Sequence, residues 1–554
     1  MMEYAALASV YRDVERTDAD TEKTTALATL FREAGDRLVA VVRLTRGRVY
    51  PRHADAELGV SSALTTAAVE KATGVDADQL EKWWRETGDL GSAAERAVAE
   101  RSQQTLASVP LTVDRVYETL RKLAGYEGSG SRDRKVDAVA GLVSDAEPMS
   151  ARFVVRTALG HLRIGVGDGT VRAALAEAFD TPADIVERAH QLTNDLGLVA
   201  ERARAEGAAG LESLDVAVGR PVESMLARAG EDLADEIAAV GDGETAYLEV
   251  KYDGIRVQIH IDGDDVRVFT RRLEEVTAQF PEVVTAVQAG VDADQCILDG
   301  ELVGYDPDTG QPVAFQRLSQ RVRRKHDVER LAEEVPVTVH LFDCLYDGES
   351  LLEASLSDRL SRLAALVEET SGLERAEHLW AADETAAREF YRTALEAGHE
   401  GVMCKNPDAP YTPGRRVDTM TKVKPTMEPL DLVVTRATYS EGRRAEQLGR
   451  LYLACYDADR ETFREVGRLS TGYTDEQLAA LTERLESLVR ERDGRDVELV
   501  PDVVVQVAYE EIQASSEYES GYALRFPRFE GIREDLAPTE ADQHERVEQL
   551  YEDQ

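Results

Sequence analysis

"YLEVKYDGIR", residues Tyr247 to Arg256, sets one lysine between an acid two residues earlier and an acid two residues later, with a glycine and then an arginine following. The stretch alternates as a strand does. Positions two apart on a strand share a face, so Glu249, Lys251 and Asp253 are expected to point one way. Gly254 permits a sharp turn or a close backbone approach. Arg256 opens the next strand with a planar fork suited to a phosphate or a sugar. A lysine at neutral pH is a protonated, unreactive ammonium, and it becomes a nucleophile when desolvation or cationic neighbours weaken its hold on the proton. If such an amine attacked the α-phosphate of a nucleotide, it would form a phosphoramidate and expel pyrophosphate. That transition state calls for metal and basic groups around the phosphates. The plain alternative is a surface strand ending in an Asp-Gly turn.

Lysine is scarce in this chain, which makes its position informative. There are 106 Asp and Glu against 65 Lys and Arg, a formal net charge of −41, and lysine accounts for only ten of the basic residues. The acids are spread along the whole chain rather than gathered in a tail. Dispersed acidity with little lysine reads as adaptation to molar intracellular salt, where a hydrated carboxylate surface keeps a protein soluble; an ordinary acidic protein is the alternative. So negative a charge argues against a nucleic-acid partner, because neutralising phosphates needs a positive surface. At molar salt the Debye length falls to about 3 Å, so net charge does not decide the question.

With 554 residues, 43% of them hydrophobic, the chain can form roughly three or four domains of ordinary size. It has no apolar run of the ~20 residues a membrane helix requires. The start, "MMEYAALASVYRDVERTDAD", lacks the basic opening and apolar core of a signal peptide. A soluble cytoplasmic protein with no membrane partner is expected. Cys296, Cys344, Cys404 and Cys455 form no C-x-x-C pair, so neither a zinc module nor a disulfide framework is indicated.

Residues 1 to about 215 read as helical, rich in Ala, Leu, Glu and Arg at three- and four-residue spacing. "YEGSGSRDRK" (126–135) and "GVGDGT" (165–170) are expected breaks. From about 245 the period changes: "RVQIHI", "VRVFTRR", "CILDGELVGYD" and "VTVHLFDCLYDG" alternate or run apolar between Asp-Gly turns. "IDGDD" (261–265) reads as a hairpin. After "KVKPTMEPLDLVV" short strands surround one helix at "TDEQLAALTERLESLV", which suits a small barrel.

"KYDGIR" resembles the active-site motif of the covalent nucleotidyltransferases, which comprise DNA ligases, RNA ligases and mRNA capping enzymes, and the rest of that superfamily's ordered motifs lies downstream. The resemblance implies that Lys251 carries AMP and that Glu249 sits beside the base. It implies that Arg256, Arg271 in "FTRRLEEV" and Arg416 in "EGVMCKNPDAPYTPGRR" hold the nucleotide. Glu301 in "LDGELVGYD" is similar to the acid that binds the ribose or a metal, and Phe342 in "VHLFDCLYDG" to the ring that stacks on adenine. Glu400 resembles the metal-associated acid. Lys422 and Lys424 in "MTKVKP" resemble the pair that draws charge from the α-phosphate. Taken alone, Phe342 would be core, and Glu301, Glu400 and Arg415–Arg416 solvated surface.

Three further stretches narrow the resemblance to ATP-dependent DNA ligases of the archaeal and eukaryotic replicative type. "SARFVVRTALGHLRIGVGDGTVRAAL" (150–175) resembles their helical DNA-binding domain, with Arg163, Gly165 and Gly167 placed to meet a DNA phosphate. "GRPVESMLA" (219–227) resembles the entry to the adenylation domain. "YESGYALRFPRFEGIRED" (518–535) resembles the motif on the C-terminal oligonucleotide-binding barrel, where Arg525, Arg528 and Arg533 are the basic groups. The implied protein is a multidomain α+β chain: a helical DNA-binding domain over 1–215, a nucleotidyltransferase domain with antiparallel sheets and helices over 216–427, and an OB-fold barrel over 428–554. ATP, Mg²⁺ or another divalent metal, nicked double-stranded DNA and a monomeric state follow from the same resemblance. Two departures stand out: Met420 replaces the usual Trp, and Leu536 the lysine expected to orient pyrophosphate, where Arg528 or Arg533 could substitute. "QQTLAS" keeps a Gln-x-x-Leu spacing over Gln103–Leu106 but lacks the aromatic pair of a clamp-binding segment. A PCNA-like sliding clamp and a plain exposed helix end are the two readings. An RNA-capping or RNA-ligase activity, and nick binding without catalysis, remain the alternatives in function.

Overall fold

A computed structural model describes residues 2–54, 56–101, 110–241, 246–322, 324, 327–381, 383–425, 427–440 and 447–552, together with residue 326. The chain divides into two compact units, Met1–Lys424 and Pro425–Gln554. Among the described residues no helix is long and apolar enough to cross a membrane. The four cysteines are buried free thiols. The expected clamp segment Gln103–Leu106 lies outside the described residues.

The first unit begins with α-helices running from Tyr4–Arg16 to Leu196–Glu212. Their apolar stripes close one core around Tyr11, Phe31, Phe153 and Leu175. The abundant acid also shapes this region locally. Asp76, Asp89 and Asp195 each cap a helix by accepting from amides of its first turn, so residues selected for the surface also satisfy orphan backbone donors. Both expected breaks are shorter than their sequence suggests. Ser131–Asp145 is already helical directly after Gly130, whose left-handed φ of 75° turns the chain into it. Asp168–Phe179 begins inside "GVGDGT". Gly and Asp ended the expected segments, but here they act as helix starts.

The remainder of the first unit carries two five-stranded sheets. The first has the order β1 (Leu226–Gly230), β10 (Arg416–Val423), β9 (Gly401–Lys405), β2 (Ala246–Lys251), β8 (His378–Ala381). The second has the order β4 (Asp265–Thr270), β3 (Ile255–Asp262), β5 (Gln295–Gly304), β6 (Val337–Asp347), β7 (Leu373–Arg375). The β3–β4 hairpin turns at Gly263, with φ 59°, as "IDGDD" predicts. Only the pairs β1–β10 and β6–β7 are parallel among the described strands. An apolar cluster of Leu192, Val222, Ile297, Leu345, Tyr411 and Met420 joins the last helices to these sheets. Gln258 exchanges two hydrogen bonds with the backbone of Val222 at 3.0 and 2.8 Å, which fixes the entry segment against β3.

The second unit is an antiparallel seven-stranded sheet. β11 (Leu430–Tyr439) pairs β12 (Leu448–Asp457), then β15 (Asp496–Leu499) at one end and β16 (Val504–Ala508) at the other; β13 (Thr462–Leu469), β14 (Val489–Asp493) and β19 (Arg528–Ile532) extend it. A separate hairpin joins β17 (Glu511–Ala514) to β18 (Tyr522–Arg525). The expected helix is Asp475–Glu486, started by a capping box between Thr474 and Gln477. A second helix, His544–Glu552, was not expected; it is short and mostly polar, with only Val547 buried.

Candidate active site

Lys251 is the last residue of β2 and lies opposite Gly401 of β9. Just before β9, the amide of Glu400 donates to the Lys251 carbonyl at 2.9 Å, so the backbone itself brings the lysine and the acid together. The Lys251 ammonium pairs with Glu400 Oε2. Lys424, one residue past β10, reaches the same oxygen at 2.5 Å. Burial pushes the Glu400 carboxyl up, but the two lysine charges outweigh it and hold the group at about 2. Both lysines therefore share one carboxylate oxygen.

The second sheet supplies the opposite wall. Arg256 lies directly across from Glu301 and diagonal to Asp299, which puts all three on one face. Burial pushes Glu301 up to about 8, against the lowering pull of Lys251 and Arg256 and reinforced by Glu400 and Asp299. Between Asp299 and Gly300 the pairing with β6 slips by one residue, and Phe342 is the residue left over. A bulge of this kind re-aims a side chain. The half-buried ring meets the Arg256 guanidinium at 5.4 Å and the Lys405 ammonium at 4.8 Å from its centroid. A cavity lined by Arg256, Phe342, Lys405, Tyr411 and Met420 adjoins it.

Gly254 is needed where β2 turns into β3. A Cβ there would lie 2.2 Å from the Leu302 carbonyl oxygen and 2.9 Å from Glu301 Cγ. No side chain fits, so the glycine lets the turn into β3 lie against the strand of Glu301. Asp253 does not join Glu249 and Lys251. The strand ends at Lys251, and the Asp253 carboxylate accepts from the Phe315 amide at 3.0 Å, at the start of helix Phe315–Val322.

The structure shows where each expected site residue lies. Lys251, Arg256, Glu301, Phe342, Glu400 and Lys424 converge as described, and Glu249 joins them through Lys405, which donates to it at 2.7 Å and lies over the Phe342 ring. Lys422 lies on β10 opposite Met403. The Arg256 fork is already engaged: it grips Asp299 at 3.2 and 2.7 Å, the Met225 carbonyl at 2.7 Å and the Tyr411 hydroxyl at 3.3 Å. Four of its five N–H donors are thus committed, so it cannot offer a whole fork to a phosphate. Arg271 is tied to Arg256 through its backbone amide at 3.1 Å and exposes its side chain. Arg416 is exposed and donates to the Ala227 carbonyl at 2.7 Å.

In the helical region, Arg163 and Gly165 take left-handed φ values of 57° and 66°. Lys23 donates to the Gly165 carbonyl at 3.1 Å, and Gly167 is the N-cap of helix Asp168–Phe179. Arg163 itself is exposed, with one bond to the Gly88 carbonyl at 2.9 Å. In the second unit Arg525 pairs with Glu511 at 3.1 Å and Arg528 is exposed. Arg533 is bound by Asp431 and by Asp535, the latter at 2.8 Å. The leftover Leu536 packs beside Val433 and Val504.

Sequence reasoning missed Asp299, Tyr411 and Lys405. Asp299 anchors Arg256, and Tyr411 donates to Asp299 at 2.9 Å. Lys405 lies beside the expected base pocket, and lysine scarcity was a signal that could have marked it.

The helical region matches the family model described as DNA ligase N terminus over residues 3–176. The two-sheet region matches the ATP dependent DNA ligase domain over 224–424, and the second unit the ATP dependent DNA ligase C terminal region over 444–536. The chain is 47% identical over 559 residues to a DNA ligase of Natronomonas pharaonis, covering 99% of this chain and 100% of that one. It is 46% identical over 564 residues to a DNA ligase of Halobacterium salinarum, 99% of each being covered. A third, from Thermococcus fumicolans, is 45% identical over 552 residues, covering 99% and 98%. The solved structure "Pmar-Lig_Pre." superposes with a TM-score of 0.57 over 95% of this chain and 99% of that one, at 17% identity, a likeness of fold. Matched from end to end, and carrying a lysine between paired acids where those relatives are named ligases, the chain belongs to the ATP-dependent DNA ligase family.

Proposed function

We propose that the chain seals nicks in double-stranded DNA through an AMP carried on Lys251. The supporting observation is the shared carboxylate. Lys251 and Lys424 meet on one oxygen of Glu400, so a lysine suited to attack is held by a bond that an arriving charge can exchange. In the first step Nζ gives up a proton and attacks the α-phosphorus of ATP. The N–P bond forms as the bond to the bridging oxygen breaks, and pyrophosphate leaves with the electron pair. The AMP then passes to the 5′-phosphate at the nick, and the 3′-hydroxyl displaces it to close the phosphodiester. Lys422 and Lys424 would draw charge from the α-phosphate, and Phe342, Glu249, Arg271 and Arg416 would seat the nucleoside. Arg256, with its fork engaged, would support the pocket wall rather than clasp a phosphate.

Among the described residues no cluster of three or more His, Cys, Asp or Glu stands ready for a metal. Glu400, and Glu301 once a cation draws off its proton, still suit Mg²⁺, a hard cation that keeps several waters and is bound through one or two carboxylates together with substrate phosphates. Bound there, it would neutralise phosphate charge. We assign residues 1–215 to DNA binding, 216–427 to adenylation and 428–554 to an OB barrel, with Arg163, Gly165, Gly167, Arg525 and Arg528 toward DNA. Arg533, bound on both sides by acids, is the weakest of these candidates. Replication, recombination and repair in a high-salt cytoplasm, as a monomer, are the processes this activity serves.

The test uses ATP labelled at its α-phosphate. Wild type should gain an acid-labile label and lose it to nicked DNA, and Lys251→Ala should gain none. Triphosphate-ended RNA and NAD offered in parallel should neither discharge nor charge the enzyme. Discharge by RNA ends alone would point to a capping activity instead.

A further inference from the structure

Glu249, already placed beside the base, forms a buried ion pair with Lys405, which neither the motifs nor the mechanism above uses. The two residues are 3% and 6% exposed. Lys405 Nζ lies 2.7 Å from Glu249 Oε1, while Glu249 Oε2 is buried with no hydrogen-bond partner. A buried charged oxygen left without a donor is costly, so it marks a place where a donor belongs. The same ammonium lies over the Phe342 ring, the surface proposed for the nucleobase.

The choice of lysine is informative. The neighbouring buried pairs use arginine: Arg256 grips Asp299 at 3.2 and 2.7 Å, and Arg359 grips Asp343 at 2.7 and 3.1 Å. A guanidinium fork is shaped to occupy both carboxylate oxygens, whereas this ammonium, a point charge, donates to one and leaves the other open. Lys405 is also one of only ten lysines, beside 55 arginines (65 less 10). With Lys251, Lys422 and Lys424, it makes four of the ten in this one site.

We propose that Lys405 is a positioning residue for nucleobase selection: it holds one oxygen of Glu249 and so presents the other as a fixed acceptor for the exocyclic amino group of adenine. A 6-oxo base would place an acceptor against that oxygen and be rejected. The proposal rests on the reading that Glu249 lies beside the base. Burial pushes the Glu249 carboxyl up and the Lys405 charge pulls it back down, with Asp343 raising it and His378 lowering it. Without Lys405 the carboxyl would tend to hold a proton and could donate to a 6-oxo group, which erases the discrimination.

The test compares self-adenylylation of the full chain with ATP and the matching reaction with inosine triphosphate. In Lys405→Met the KM for ATP should rise about tenfold or more with kcat little changed, and the preference for ATP over inosine triphosphate should fall about tenfold. Lys405→Arg should fold as stably as wild type yet also lose ATP affinity and preference, because its fork covers both oxygens. Should the Met variant not fold, the Arg variant carries the test. Equal losses for both nucleotides in Lys405→Met, or wild-type selectivity in Lys405→Arg, would overturn the proposal. If Glu249→Gln loses the preference while both Lys405 variants keep it, the base reading survives and Lys405 has no part in it. If no variant alters the preference, the base reading itself fails.

Discussion

Two charge networks in the first unit, one buried and one half-buried, use ion pairs for opposite purposes. In the helical region Arg156 donates to Asp89 at 3.0 and 2.8 Å, to Glu15 at 2.9 Å and to the Leu162 carbonyl at 3.2 Å. Asp89 meanwhile caps helix Leu90–Glu100 through the amides of Gly91 and Ser92. Arg156 is thus held by two carboxylates and a carbonyl, and the network ties helices together. At the active site Lys251 and Lys424 crowd onto one oxygen of Glu400. Arginine forks make ties that hold, while lysine point charges make ties that a substrate can exchange. In a chain where arginine has largely displaced lysine, the two lysines that meet on Glu400 mark the bonds that must open.

The largest expected effect falls on the permanent network. Asp89→Asn should lower stability by about 3 kcal/mol, because it removes one of the two counter-charges of buried Arg156 and leaves only Glu15. Burial raises the Asp89 carboxyl, but Arg156 and Ser92 outweigh it and hold it at about 2. A group held below its unfolded value contributes stability that is present above that value and lost as pH falls toward about 2. The gap between variant and wild type, read from urea unfolding, should therefore be full at pH 7 and narrow below about pH 4. A gap constant across that range would break the comparison.

The exchangeable network should respond in rate instead. Glu400→Gln should slow adenylylation by about 100-fold or more, in the range for losing an electrostatic group at a reacting centre, while stability falls by less than in Asp89→Asn, because water reaches the half-buried lysines. If stability fell as it does for Asp89→Asn, the two networks would not differ in kind. Gly254→Ala probes the turn from β2 into β3, where the chain lies against β5. The added methyl meets a backbone oxygen, so the strands must part, at about 1–3 kcal/mol for overpacking, and adenylylation should fall more than sealing of pre-adenylylated DNA. The smallest effect is that of salt. Raising KCl from about 0.2 to about 2 M screens exposed pairs far more than buried ones, so adenylylation should persist or rise; a sharp loss would refute the halophilic reading.

Much of this site is legible in the sequence because its residues come in ordered short motifs. Lys251, Glu301, Phe342, Glu400 and Lys424 can each be named from a few neighbours. What cannot be read is the pairing between strands distant in the chain. Lys405 reaches Glu249 across 156 positions, because β9 lies beside β2, and Asp299 reaches Arg256 because β5 lies beside β3. The bulge that re-aims Phe342 is likewise a matter of register, invisible in "VHLFDCLYDG" itself. Helix starts at Gly130 and Gly167 were hidden for another reason. Glycine and aspartate clusters mark turns and helix caps alike, and only the packed partner decides between them.

The central claim is that the nucleophile is the Lys251 amine. Charge the protein with ATP and Mg²⁺ in the absence of DNA, digest it, and locate the adenylate by peptide mass spectrometry. The adduct should lie on Lys251 alone and vanish when nicked duplex is added. An adenylate on Lys405, Lys422 or Lys424, or one on Lys251 that nicked DNA fails to discharge, would contradict it.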